Sequence, residues 1–148
     1  MIQRFDGQYS FLSNFAPCVI EYHDMLYDSV EHAYVASKTV DLDLRLEIQS
    51  MSTAGKVKRF GRKLELRKGF DNLKYSIMTE LIEKKFDQED YKYKLLATGD
   101  QEIYEGNTWG DKYWGVEFSE SGVITGFNNL GKIIMKKRLD MQNGFFKM

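Results

Sequence analysis

Histidine and cysteine are scarce in this 148-residue chain, which has two of the first and one of the second. With only His23 and His32 there are too few imidazoles for a histidine-based metal cage or a Ser-His triad. Cys18 has no partner for an internal disulfide, and the simplest home for such a chain is a reducing cytoplasm. Set in Pro17-Cys18-Val19, it reads as a small buried hydrophobe rather than a nucleophile. No apolar run approaches the length of a bilayer crossing, so no membrane partner is expected. The start lacks a basic stretch followed by an apolar one, so no signal peptide is expected either. An excess of one charge is also missing: 21 Lys and Arg face 22 Asp and Glu, for a net charge of −1. That balance argues against bulk, salt-driven nucleic-acid binding.

What is present fits one folded domain spanning 1–148. Apolar residues make up 43% of the chain, enough to bury a core at this length without staples. No internal repeat or low-complexity linker interrupts it. The charges are unevenly spread: Asp6, Glu21, Asp24, Asp28 and Glu31 lie in a stretch from 5 to 31 that has no Lys or Arg. Lys56, Lys58, Arg59, Arg62, Lys63, Arg67 and Lys68 crowd a second stretch whose only acid is Glu65. A basic patch facing an acidic site suits a ligand with phosphate at one end and chemistry at the other, although basic runs are also ordinary solvated helix faces.

The chain is organised around Tyr27-Asp28-Ser29-Val30-Glu31-His32-Ala33-Tyr34-Val35-Ala36-Ser37-Lys38. Ser29 is placed to accept from the free amides of a first helical turn. A helix starting there sets Glu31, Tyr34 and Lys38 on one face at i, i+3 and i+7. The small and apolar residues between them point to a helix packed inside the domain, where a carboxylate and an ammonium are costly unless paired or used. On spacing alone the same two charges also read as a dipole-compensating acid and a solvated C-terminal base.

In chain order, Phe5 to Ser10 reads as a short strand or turn, and Phe11-Leu12-Ser13-Asn14-Phe15 as an ordered loop ahead of Pro17. Val19 to Tyr27 reads as a hairpin turning at His23-Asp24. Asp41 and Asp43 offer caps for a helix with Leu42, Leu44, Leu46 and Ile48 available to the core. A helix from Ser52-Thr53-Ala54 buries Val57, Phe60 and Leu64 and turns Lys56, Arg59 and Lys63 outward. Phe70 to Phe86 is the longest helical pattern, with Leu73, Ile77, Met78, Leu81 and Ile82 in register. Asp87 is the expected cap of the next helix, Glu102 to Glu105 an expected strand, and Asn128-Asn129 the entry to a last helix. Both tryptophans, Trp109 and Trp114, lie in the Gly-punctuated loop 106–115, which reads equally as a ligand-stacking loop or as packing.

Several of these stretches together resemble the NADAR family of YbiA-like N-glycosidases. They are Phe11 to Phe15, Ser29 to Tyr34 with Lys38, Gly55-Lys56 with Gly61-Arg62, Glu105-Gly106-Asn107 with Trp109, Asp111-Lys112-Tyr113-Trp114-Gly115, and Asn128 to Gly131 with Met135 and Arg138. The match runs in order along nearly the whole chain. One departure is Val35, where family members often carry glutamine.

The resemblance implies an α+β fold, rich in helices, with a small antiparallel sheet, here expected from the N-terminal hairpin and the Ile103 strand. It also implies hydrolysis of the N-ribosyl bond of a phosphorylated nucleoside-like intermediate or an ADP-ribosyl-base conjugate, including ADP-ribosylated nucleic acid. The alternative is a module that binds NAD or ADP-ribose without turnover. Breaking a C1′–N bond builds positive charge on the ribose, as in glycoside hydrolysis, and a sheltered carboxylate can stabilise it and take a proton from water. Glu31 is the first candidate for that role and Asp111 the second. Tyr34, Trp109 and Trp114 are candidates to stack on a base or ring, and Asn14 and Asn128 to supply amide contacts. Lys38, Lys56 and Arg62 are candidates for phosphate. Ser13, Phe15 and Gly115 complete the expected binding set. Loops 9–15 and 106–115 are expected to meet the N-terminal half of the Glu31 helix, and no metal or cofactor is called for.

Overall fold

The computed structural model describes residues 1–144. Its contacts divide into two units, one formed by Asn14–Lys85 and the other by Met1–Ser13 with the chain from Phe86 onward. None of the helices among the described residues is long and apolar enough to cross a membrane.

In the unit from Asn14 to Lys85, β1 (Ile20–Tyr22) and β2 (Met25–Tyr27) pair antiparallel, with Ile20 opposite Tyr27 and Tyr22 opposite Met25. The turn residues His23 and Asp24 both have positive φ, 47° and 65°. That is the twist a two-residue hairpin needs, and the Asp24 N–H donates to Glu21 Oε1 at 2.9 Å to hold it. The chain then enters α1 (Val30–Ser37), where every residue except Glu31 is buried. The inward packing expected from its small side chains is therefore found.

Helix α1 packs on α2 (Leu42–Gln49) and α3 (Ala54–Gly61). Asp41 and Thr53 cap these two helices through their side chains. The start of α4 (Phe70–Phe86) follows, burying Ile77, Met78, Leu81 and Ile82. Three leucines expected inside lie outside: Leu42, Leu46 and Leu73 are 61%, 47% and 41% exposed. On α2 the inner face carries Arg45 and Ile48 instead. Arg45 Nε donates to the carbonyls of Ala36 at 3.2 Å and Thr39 at 2.9 Å. The open carbonyls at the end of α1 and just beyond it must be satisfied, and a guanidinium does so where leucine cannot.

In the other unit a 3₁₀ turn (Gly7–Leu12) replaces the expected strand or turn at Phe5 to Ser10. It is followed by α5 (Glu89–Leu96), the short antiparallel pair β3 (Glu117–Phe118) and β4 (Ile124–Thr125), and α6 (Asn129–Gly144). Ile2, Leu12, Leu95, Ile103, Val116, Leu130, Ile133 and Ile134 form its core. The expected cap Asp87 does not cap α5. Gln88 stands at that position and makes no capping bond with its side chain, while Asp87 binds Lys137 Nζ at 2.6 Å.

The expected single sheet is two separate ones, and Ile103 makes only an isolated parallel bridge to Ile2. The reason lies in Asn128: Nδ2 donates to the Ile103 carbonyl at 2.9 Å and Oδ1 accepts from the Glu105 N–H at 3.1 Å. These bonds occupy backbone groups that a ladder would otherwise use. Gly131, one turn into α6, lets the helix sit against this junction, since a Cβ there would collide with the Asn128 amide and the Ile103 carbonyl. Gly131→Ala is expected to destabilise the protein by about 1–3 kcal/mol or more, measured by urea unfolding.

Candidate active site

Ser29 starts the site by starting α1. Its Oγ accepts from the His32 N–H at 3.1 Å and lies 2.7 Å from His32 Nδ1. His32 Nε2 is 3.0 Å from the Met51 carbonyl. A carbonyl only accepts, so Nε2 carries the proton, and in the neutral ring Nδ1 is left to accept from the Ser29 hydroxyl. His32, 2% exposed, therefore fastens the helix start to the chain before α3. Its neighbour Glu31 is half-buried, and the Glu31 N–H donates to the Asn14 carbonyl at 3.0 Å. The loop bearing Asn14 and the turn bearing the acid are thus one backbone construction.

The face expected from the i, i+3, i+7 spacing is present. Lys38 Nζ lies 5.6 Å from the centre of the Tyr34 ring. Burial pushes the Lys38 amine below the ordinary lysine range, the Glu31 charge pulls it back up, and Lys74 adds to the depression. Tyr34 is buried, and its ring tilts onto Phe70 with centroids 5.8 Å apart. Asn14 gives Nδ2–H to Met78 Sδ at 3.6 Å, while its Oδ1 is buried with no hydrogen-bond partner among the described residues. An amide oxygen in that condition is an acceptor suited to a hydroxyl or a water.

The remaining candidates of this unit lie further out. Phe15 is exposed, with Lys58 Nζ 5.8 Å from its ring centre. Lys56 and Arg62 are exposed, and Lys56 Nζ donates to Ser52 Oγ at 3.1 Å. Together with Arg59 and Lys63 they form the solvent side of the α3 segment.

In the other unit Asp111 organises its loop. Oδ1 accepts from the N–H groups of Tyr113 at 3.2 Å and Trp114 at 2.9 Å, an Asx turn. Asn107 braces it, exchanging bonds of 2.8 and 3.0 Å with the Asp111 backbone. Trp114 is half-buried, edge-on to Tyr113 at 4.7 Å, whereas Trp109 is 60% exposed. Gly115 is where this loop passes close to the Glu105 carbonyl, leaving no room for a side chain. Asn128 is buried with both ends of its amide on backbone groups, and the Ser13 N–H closes the 3₁₀ turn onto the Ser10 carbonyl at 3.0 Å. An open cleft of about 310 Å³ in this unit is lined by Gln8 to Phe11, Lys94, Ala97, Thr98 and Gln101. No carboxylate is among its lining residues.

The chain as a whole has relatives among known proteins. A family model described as the NADAR domain matches residues 2–142. The chain belongs to the NADAR family. A Nostoc punctiforme protein named N-glycosidase is 34% identical over 91% of this chain and 87% of its own length. The N-glycosidase YbiA of Escherichia coli is 32% identical over 88% of this chain and 80% of its own. A Vibrio vulnificus riboflavin biosynthesis protein is 31% identical, and there the match spans 93% of this chain but only 37% of the relative. The NMR structure of E. coli YbiA superposes with a TM-score of 0.81 at 28% identity, covering 100% of this chain and 89% of that one. This chain thus shares its overall fold with YbiA, and among its described residues that fold is a helix-rich α+β arrangement with two small antiparallel sheets.

Sequence reasoning leaves Arg67 among the surface bases. In the structure its N–H donates to the Lys38 carbonyl at 2.8 Å, and its Nε is buried with no partner among the described residues. No spacing rule marks such a residue, because the loss of water around one nitrogen is a tertiary property.

Proposed function

We propose that this NADAR chain hydrolyses the N-ribosyl bond of a phosphorylated nucleoside-like intermediate or of an ADP-ribosyl-base conjugate, with Glu31 as the acting carboxylate. Its standing as an N-glycosidase follows from family membership and from the N-glycosidases at 32–34% identity. The observation that carries the finer reading is the α1 face: a half-buried Glu31 whose charge acts on a desolvated Lys38, with the Tyr34 ring under the amine. As the C1′–N bond lengthens, the sugar gains positive charge that a nearby carboxylate stabilises in a water-poor setting. Glu31 then accepts a proton from the water whose oxygen bonds to C1′ as the C1′–N bond breaks, and that proton passes by way of solvent to the departing base nitrogen, so the sugar gains the hydroxyl and the base the hydrogen. The unmatched Asn14 Oδ1 is an acceptor for a ribose hydroxyl or that water. Lys38 offers a cation for the phosphate end. Asp111 and the tryptophans enter on the family resemblance alone, as water-orienting and stacking groups. The name of the Vibrio relative makes riboflavin-pathway intermediates one substrate class to try; the family resemblance makes ADP-ribosylated bases the other.

The test is a panel of N-ribosides, phosphorylated and not, with ADP-ribosylated DNA included, and mass spectrometry of released bases. Free base from at least one phosphorylated member is expected. Saturable ADP-ribose binding with no base released from any member would replace this reading by that of a non-catalytic binder.

A further inference from the structure

We propose that His32 is a positioning residue for the acting carboxylate: its ring ties the helical turn that carries Glu31 to the Met51 carbonyl and so sets where that carboxylate stands. The inference rests on the reading of Glu31 above and gives a role in it to a histidine which that reading leaves out.

A helix capped by serine commonly carries Glu or Gln at its third position, from which the side chain turns back to the cap. In α1 the cap is Ser29, the third residue is His32, and the acid stands one residue earlier as Glu31. The imidazole has taken the acid's usual place. Ser29 Oγ accepts the His32 N–H at 3.1 Å and gives its own proton to Nδ1 at 2.7 Å, so the hydroxyl is used as both acceptor and donor. Nε2–H then donates to the Met51 carbonyl, nineteen residues on, at 3.0 Å. An ionised carboxylate at position 32 could not make that last bond, because it only accepts. Ser29 and His32 are each 2% exposed, so water does not stand in for either partner.

The consequence for Glu31 is geometric. With eight residues, α1 is too short to hold its first turn in place unaided. The Glu31 N–H is pinned to the Asn14 carbonyl at 3.0 Å, and a turn held at one point can still pivot about it. The imidazole, one residue along and about 100° around the helix, is a second fixed point. Its anchor, Met51, lies between α2 and α3, the two helices on which α1 packs. Any other setting of the ring would strand the Ser29 hydroxyl or the Met51 carbonyl, which holds the ring to this one. Lys38, further along the Glu31 face, feels the Glu31 charge and therefore reports where the carboxylate is.

His32→Gln and His32→Asn test this, because both offer a donor and an acceptor side by side, as imidazole does, but only glutamine extends to the Met51 carbonyl. The Lys38 amine is titrated by side-chain NMR in the full chain and in both variants, each with and without Glu31→Gln, and near-UV circular dichroism checks folding. Base release from the fastest member of the panel is measured alongside. His32→Gln should keep the wild-type Lys38 titration and a kcat within about fivefold of wild type. In His32→Asn the Lys38 titration should fall toward that of Glu31→Gln, and adding Glu31→Gln should then move it little. Its kcat should drop about 30- to 100-fold with KM within about threefold. A histidine that only stabilises the fold would leave the Lys38 titration and kcat where they are, so equal Lys38 titrations in the two folded variants and wild type would overturn the proposal. Should His32→Asn not fold, His32→Gln alone decides: a Lys38 titration at the wild-type value upholds the second anchor, and one at the Glu31→Gln value overturns it. The titration needs no turnover, so a panel without base release would strike the hydrolytic reading and leave this placement of Glu31. Base release unchanged in His32→Asn would do the reverse.

Discussion

Glu31→Gln is expected to lower kcat by about a thousandfold or more while ribose 5-phosphate affinity stays within about threefold of wild type. The exchange keeps size and shape but removes both the proton acceptor and the negative charge that favours a cationic sugar. It is also a clean change structurally. Glu31 sits in the first turn of α1, where losing its charge costs about 0.3–1 kcal/mol of helix-dipole interaction, and the backbone bond to Asn14 is untouched. A second signature distinguishes loss of this charge from general damage. Because the Glu31 charge holds the Lys38 amine up against burial, the Lys38 titration should move further down in Glu31→Gln, a shift readable by NMR of the lysine side chain.

The other large effect concerns Lys85, which is fully buried on α4 and whose amine burial pushes down to about 7. The unfolded chain keeps this proton up to the ordinary lysine value of 10.5. Between those values the unfolded state binds more protons than the folded one, so stability rises with pH. Below about 7 both states are charged and the folded protein carries the full cost of a dry ammonium; above 10.5 neither does. Relative to Lys85→Met, wild-type stability should therefore climb by roughly 1.4 kcal/mol per pH unit from about pH 7 to 10. Urea unfolding of both proteins at pH 6, 8 and 10 measures it, and parallel pH curves would show that Lys85 keeps an ordinary titration. Cys18, buried nearby, has its thiol pushed up by burial and pulled partly back by Lys85. In Lys85→Met that thiol should react with alkylating reagents more slowly still.

What could be read from the sequence was local. The Ser29 cap, the His23-Asp24 turn and the Glu31, Tyr34, Lys38 face depend on residues within a few positions of one another, and each is in the structure. The misreadings share a cause, a partner far along the chain. Asp87 had the chemistry of a cap, but Lys137 fifty residues later takes its carboxylate. Ile103 had the composition of a strand, but Asn128 takes its carbonyl and the neighbouring Glu105 N–H. Leu42 and Leu46 lost the core to Arg45, whose donors the end of α1 requires. Arg138 is buried mid-helix and binds Thr98 Oγ1 and the Gln101 carbonyl, each at 2.8 Å, partners that lie about forty residues away. Lys38, which also read as a solvated terminal charge, is half-buried, and that burial pushes its amine below the ordinary lysine range. Glu31 and Lys38 were legible as one face because they share one helix; the burial of Arg67 Nε was not, because it depends on the packing of a different segment.

The most direct measurement of the hydrolytic account is a reaction in ¹⁸O water with whichever ribosyl phosphate releases base fastest, comparing wild type with Glu31→Gln. Water attacking C1′ puts the heavy oxygen on the sugar phosphate and none on the free base, at a rate the Gln variant should not approach. Label on the base, or equal release by the two proteins, would contradict it.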